Sequence, residues 1–420
     1  MADYIPQDSM SLWWLGTPDQ PARVGTIDLV NNGQGVSLTY ADAWRQDGFA
    51  LSEDLPLMAQ AFMPAEKSRA AGAVDDCRPD RWGERVIRAI DKPSRLSLIE
   101  YLYFAGDDRF GALGVSLSPD TYAPKQPPAL PSLDDLGLVH DAIRKLASGQ
   151  PVEERLARLV APGRTFGGAK PKSLIVIDGF QWVIKFADEY DLDWPLIEHA
   201  VMRMGTLCGI TMCETRAVPI SKGKSAIAVR RFDRRAAGGG IERIHCLSAD
   251  VALRAAGEDF GYPEVAGVLR RLAPAGQVAP MQRELFRRMV FNLLVDNTDD
   301  HEKNHALLRV PDSGYCLSPA FDVVPSAQNL GRQALRVGAA ATDSTLDNAL
   351  SESAAFGLSR NDAAAIVAEI CRVTADWRQH LAREGVSKKD ADTLEPFLDG
   401  AKAAMRSEFS AKAVGQAPSA

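Results

Sequence analysis

The chain has 420 residues, 46% hydrophobic and 25% charged, with a formal net charge of −7. That length calls for two to four structural units rather than one core, and an acidic chain is not held to nucleic acid by its overall field. No stretch approaches the roughly 18 apolar residues of a membrane span, and residues 1–8 lack the basic-then-apolar layout of a secretory signal, so a cytoplasmic protein without a membrane partner is expected.

Residues 1–117 read as a small mixed unit. Residues 24–30 and 35–40 carry short strand patterns, and Asn31-Asn32-Gly33 between them is a hairpin turn signal. The segment 106–114, rich in glycine, reads as a turn into a strand. Residues 118–131 contain five prolines, which disfavour regular structure and predict a linker. Residues 135–147 have helical spacing. Residues 172–177 and 181–186 flank Asp178-Gly179 as an antiparallel hairpin. Pro195 stands where a helix can start, with Ile197, Val201, Met204 and Cys208 as its apolar stripe and Gly209 as its stop. Strands are predicted over 214–220 and 225–232, turning at Lys222-Gly223.

From about Ser248 the pattern becomes helical. Phe286, Met289, Val290, Leu293 and Leu294 give the buried face of a core helix. The expected organisation is an N-terminal subdomain (1–117), a linker (118–131), a sheet-bearing region (132–244), a helical region (245–410) and a frayed tail (411–420). Cys77, Cys208, Cys213, Cys246, Cys316 and Cys371 form no CxxC pair and no zinc-like spacing, so reduced, mostly buried thiols are expected.

Phosphoryl transfer needs backbone donors around phosphates, a lysine for the α- and β-phosphates, oxygen ligands for Mg²⁺, and a carboxylate to orient the attacking hydroxyl. Thr165-Phe166-Gly167-Gly168-Ala169-Lys170-Pro171-Lys172 offers a cradle, because adjacent glycines let backbone approach an anion. Alone, such a glycine pair more often marks a simple turn. Lys185 follows one hairpin later, and Glu198 in the next helix could pair with it; a solvent-facing lysine and an exposed glutamate are the plain alternatives. Asp299 and Asn304 have the D-x-x-x-x-N spacing of a kinase catalytic loop. Two strand-like runs, 305–310 and 315–317, lead to Asp322, where a kinase places its metal aspartate, a hard oxygen donor. The arginines around Phe232-Asp233 read either as a solvated connection or as an interlobe hinge. His301 and His305 lie on a loop, which argues against an i, i+4 metal pair.

Residues 297–305 and 317–325 resemble the HipA family of bacterial serine/threonine kinases. The segment 167–172 is similar to that family's phosphate loop, 183–186 to its lysine strand, 231–234 to its hinge, and 51–57 with 106–114 to its N-terminal subdomain. The resemblance implies an α+β, two-lobed protein-kinase-like fold with an N-terminal mixed β subdomain and an all-helical C-terminal lobe. It implies Asp299 as catalytic residue and Asn304 and Asp322 as Mg²⁺ ligands. ATP would be held by Gly167, Gly168, Ala169, Lys170, Lys172, Lys185, Phe232 and His301, with Glu198 as supporting ion pair. The family often has arginine where Lys170 stands; only arginine meets phosphate bidentately. Its kinases autophosphorylate a serine in the phosphate loop, where this chain has Thr165. The family's members are toxins of type II toxin–antitoxin systems that phosphorylate aminoacyl-tRNA synthetases. They pair with a small helix-turn-helix, HipB-like antitoxin, through which DNA would be met only indirectly. A scaffold or co-repressor without catalysis, and a kinase for small molecules, are the competing readings.

Overall fold

Strand formation in the N-terminal half follows from β-branched alternation interrupted by residues that tolerate a left-handed backbone. The turn between strands Ala22–Val30 and Gly35–Tyr40 has φ of 54°, 54° and 86° at Asn31, Asn32 and Gly33, values that asparagine and glycine adopt at low cost. The computed structural model describes residues 4–17, 19–125, 129–160, 170–186, 192–220, 223–237, 240–400, 402–407 and 409. The chain divides into two units, the first formed by 1–186 with 230–257 and the second by 187–229 with 258–420.

The first unit contains a five-stranded antiparallel sheet ordered Ala61–Phe62, Gly35–Tyr40, Ala22–Val30, Ser9–Trp14, Leu113–Ser116. The interior strand Ser9–Trp14 and the edge strand Ala61–Phe62 are additional to the strands legible in the sequence. The glycine-rich turn at 106–114 does feed a strand, with Gly106 and Gly111 at φ 81° and 75°. The predicted hairpin at 172–186 forms between Lys172–Ile177 and Phe180–Phe186, in a register that sets Lys172 opposite Lys185. Beneath it lies a core of Trp82, Val86, Val139, Ile143, Leu146 and Val160. Trp82 ties that core to the hairpin by donating its indole N–H to the Lys172 carbonyl at 2.8 Å. At the end of the proline-rich segment, the Pro131 carbonyl accepts from the Val176 amide at 2.8 Å.

The second unit is built around helix Val278–Leu294, whose Leu285, Phe286, Met289, Val290 and Leu293 are fully buried. Helices Trp194–Leu207, Tyr262–Leu272, Arg360–Ala375, Trp377–Arg383 and Lys388–Leu398 belong to the same unit. It also holds hairpins Thr215–Pro219/Ser225–Arg230, apart from Arg230, and Ala306–Val310/Gly314–Leu317. The helical C-terminal region therefore carries a hairpin, at the strand-like runs read between Asn304 and Asp322. Its turn places Asp312 and Gly314 at φ 57° and 114°. No helix among the described residues is long and apolar enough to cross a membrane. All six cysteines are free thiols, five of them buried. The predicted tail 411–420 lies outside the described residues.

Candidate active site

The predicted site residues are distributed over both units. In the first unit, Thr165, Gly167, Gly168 and Ala169 lie outside the described residues, and Lys170 is exposed. Lys185 is half-buried on strand Phe180–Phe186, on the face opposite Trp182 and Ile184. Its cross-strand neighbour Lys172 is only 3% exposed, and its Nζ sits 3.2 Å from Asp80 Oδ2. Burial pushes the Asp80 carboxyl up from its usual range, with Lys172 opposing that shift. The Lys172 ammonium is thus already engaged with a buried carboxylate at the start of helix Arg81–Ile90.

Phe232, also half-buried, meets the edge of Phe110 with ring centroids 6.1 Å apart. Around it the segment is not a solvated connection. Arg231, Asp233 and the Arg234 side chain are buried. Arg231 donates to both Asp233 oxygens at 2.9 and 2.7 Å, Arg234 donates to Oδ2 at 2.9 Å, and the Gly111 amide donates to the same oxygen at 2.8 Å. Burial alone would raise the Asp233 carboxyl, but the two guanidiniums outweigh it and hold it well below the usual range.

In the second unit, Glu198 is buried on helix Trp194–Leu207, so it is not the exposed helix glutamate its sequence context allowed. The catalytic-loop motif follows the C-terminus of the core helix. Asp299 is exposed, while its neighbours Thr298 and Asp300 are buried. The Asp299 carbonyl accepts from the His301 amide at 2.9 Å and from Asn304 Nδ2 at 3.3 Å. Holding the amide nitrogen leaves the Asn304 side-chain oxygen as the end suited to a cation. His301, half-exposed, accepts from the Lys303 amide through Nδ1 at 3.2 Å and caps the short turn Glu302–Asn304.

The loop is fastened from below by Asp300. His305 Nε2 lies 2.8 Å from Asp300 Oδ2, Asn292 donates to the same oxygen at 2.8 Å, and the Tyr262 hydroxyl joins them. Burial opposes ionisation of Asp300, but His305 and these hydrogen bonds keep its carboxyl below the usual range. His305 is therefore a structural partner of Asp300, as its loop setting suggested. Asn304 lines a small cavity with Asp300, His305, Ala320, Phe321 and Val323, which brings the Asp322 segment beside the loop. Asp322 has φ 57°, and Ala320 ahead of it exchanges backbone hydrogen bonds with Thr211 and Cys213 at 2.8 Å. An amide oxygen and a carboxylate are donors of the hard type Mg²⁺ takes. Sequence reasoning missed Tyr262, Asn292 and Asp80, whose roles arise from contacts remote in the chain.

Comparison with known proteins gives the family and the fold. The family model HipA-like C-terminal domain matches residues 165–377, and the model HipA N-terminal domain matches residues 20–116. A Sinorhizobium fredii protein named "Putative kinase Y4mE" is 27% identical over 376 residues, covering 80% of this chain and 83% of that one. Among solved structures, HipA in the Shewanella oneidensis complex of HipA, HipB and operator DNA overlaps with a TM-score of 0.65 at 17% identity, covering 96% of each chain. The fold is accordingly the kinase-like fold of HipA.

Proposed function

Because the chain belongs to the HipA family, we propose that it is an ATP- and Mg²⁺-dependent serine/threonine protein kinase acting as the toxin of a type II toxin–antitoxin system. The observation that carries this reading is the catalytic loop. It presents one exposed carboxylate, Asp299, while burying Asp300 and fastening Asn304 to the Asp299 backbone. A carboxylate kept in solvent beside an immobilised amide suits a group that must meet an incoming hydroxyl next to a metal ion. Asp299 orients the acceptor hydroxyl, and Asn304 and Asp322 hold Mg²⁺, which neutralises charge on the phosphates when bound. Lys185 serves the α- and β-phosphates, and the segment 165–170, with Phe232 and His301, serves the nucleotide. Thr165 is the position at which self-phosphorylation would occur.

The partner is a small helix-turn-helix antitoxin of the HipB kind, and DNA is reached through it; the solved HipA structure it overlaps is a complex with HipB and operator DNA. The acceptor is a serine or threonine of a translation protein such as an aminoacyl-tRNA synthetase. The test is transfer of label from γ-labelled ATP to lysate proteins in Mg²⁺. Asp299→Ala should lose about a hundredfold or more in rate, the usual cost of removing such a group. Equal labelling by wild type and Asp299→Ala would overturn the reading and favour a scaffold or co-repressor.

A further inference from the structure

Asp296 lies just ahead of the catalytic loop. It is fully buried and has a left-handed φ of 56°. Its carbonyl accepts from the Thr298 amide at 3.1 Å and from the Ser326 amide at 2.8 Å, and Thr298 N–H also meets Ser326 Oγ at 2.9 Å. One residue thereby fastens the catalytic loop to the chain just past Asp322. The left-handed turn is what allows its carbonyl to serve both segments.

The side chain of Asp296 points a charge into the interior, which is costly unless it is compensated. Among the described residues its ion-pair partner is Lys402, whose Nζ lies 3.5 Å from Oδ1. Lys402 is 3% exposed and also donates to Ser344 Oγ at 3.3 Å. It belongs to the helical residues 402–407, far along the chain from the loop. Burial pushes the Asp296 carboxyl up and the Lys402 ammonium down, each opposed by the other's charge. A buried pair of this kind adds little net stability over apolar residues of similar size. Its effect lies in geometry, because either charge without the other forces the surroundings to move.

We propose that Asp296 and Lys402 are positioning residues for the metal site: the C-terminal helical segment, acting through Asp296, sets the placement of Asn304 relative to Asp322. This rests on the kinase reading for the metal it serves. It adds a control point remote in sequence from both motifs.

The experiment uses the full chain as wild type, Lys402→Met, Lys402→Arg, Asp296→Asn and the double variant Asp296→Asn/Lys402→Met. Mn²⁺ binding in the presence of a non-hydrolysable ATP analogue is titrated by electron paramagnetic resonance, and unfolding is followed by circular dichroism. Loss of a residue supporting a metal ligand costs about 10- to 100-fold in metal affinity. Lys402→Met should show a loss in that range, with metal-free analogue binding unchanged, and Lys402→Arg should restore most of it. The double variant should regain stability without regaining Mn²⁺ affinity. If Lys402→Met does not fold, Asp296→Asn carries the same comparison. Mn²⁺ affinities of Lys402→Met and Asp296→Asn within about twofold of wild type, well short of that cost, would overturn the proposal. A wild type that binds Mn²⁺ and analogue but labels no protein sinks the kinase reading alone; one that binds neither overturns both.

Discussion

Lys172 and Lys185 stand opposite each other across one hairpin, yet their surroundings assign them different work. The ammonium of Lys172 is buried against Asp80, whereas Lys185 remains half-buried on the same face. Replacing Lys172 by methionine leaves a buried carboxylate without its cation, which costs about 3 kcal/mol. The urea midpoint should fall while the KM for ATP in the folded protein hardly changes. Lys185→Met should do the opposite, with rate lost by orders of magnitude and the urea midpoint retained. If Lys172→Met lost ATP affinity at unchanged stability, the structural assignment of that lysine would be wrong.

At the scale of elements, the Arg231–Arg234 segment is held to the 106–111 turn by hydrogen bonds to its backbone, beside the Phe110–Phe232 ring contact. Arg231 donates to the Asp108 and Arg109 carbonyls at 3.3 and 2.9 Å, and Arg234 to the Gly111 carbonyl at 2.9 Å, while Asp233 keeps both guanidiniums neutralised. The depressed carboxyl of Asp233 gives a sign for pH. Its contribution is present above the unfolded carboxyl value of about 3.9 and is lost as pH falls through the lower folded value. Asp233→Asn should therefore lower stability at pH 7 and flatten the acid limb of the stability profile below about pH 4. An acid limb identical to wild type in a denaturation series across pH would refute this. The Asp300–His305 link acts on a shorter element: it joins the residue after Asp299 to the residue after Asn304, closing the candidate catalytic loop.

For the whole molecule, the chain leaves the first unit after Phe186, returns at Arg230 and leaves again after Gly257. The candidate nucleotide groups lie on the first unit, apart from His301, and the candidate catalytic and metal groups lie on the second. Mg·ATP at about 100 times its dissociation constant should add roughly 2.7 kcal/mol to the folded state. A thermal-shift titration should show that gain, and Asn304→Ala/Asp322→Asn should lose the part that depends on Mg²⁺. Stabilisation by ATP that is indifferent to Mg²⁺ in wild type would remove Asn304 and Asp322 from the metal.

Much of the fold was legible in local pattern. The turns at Asn31–Gly33 and Asp178-Gly179, the core helix ending at Leu294, and the hairpin between Asn304 and Asp322 follow from side-chain periodicity and from residues that permit positive φ. The order of lysine strand, D-x-x-x-x-N loop and second aspartate is likewise a property of the chain alone. What the sequence could not decide is which charged residues are interior. Asp80, Asp233, Asp296, Lys172 and Lys402 carry no local sign of burial in the sequence, because burial depends on partners that are distant in sequence or hidden by a local turn. Only the tertiary structure brings Lys172 to Asp80 and Lys402 to Asp296, and in a low-dielectric interior a charge is tolerated only where its partner has been delivered.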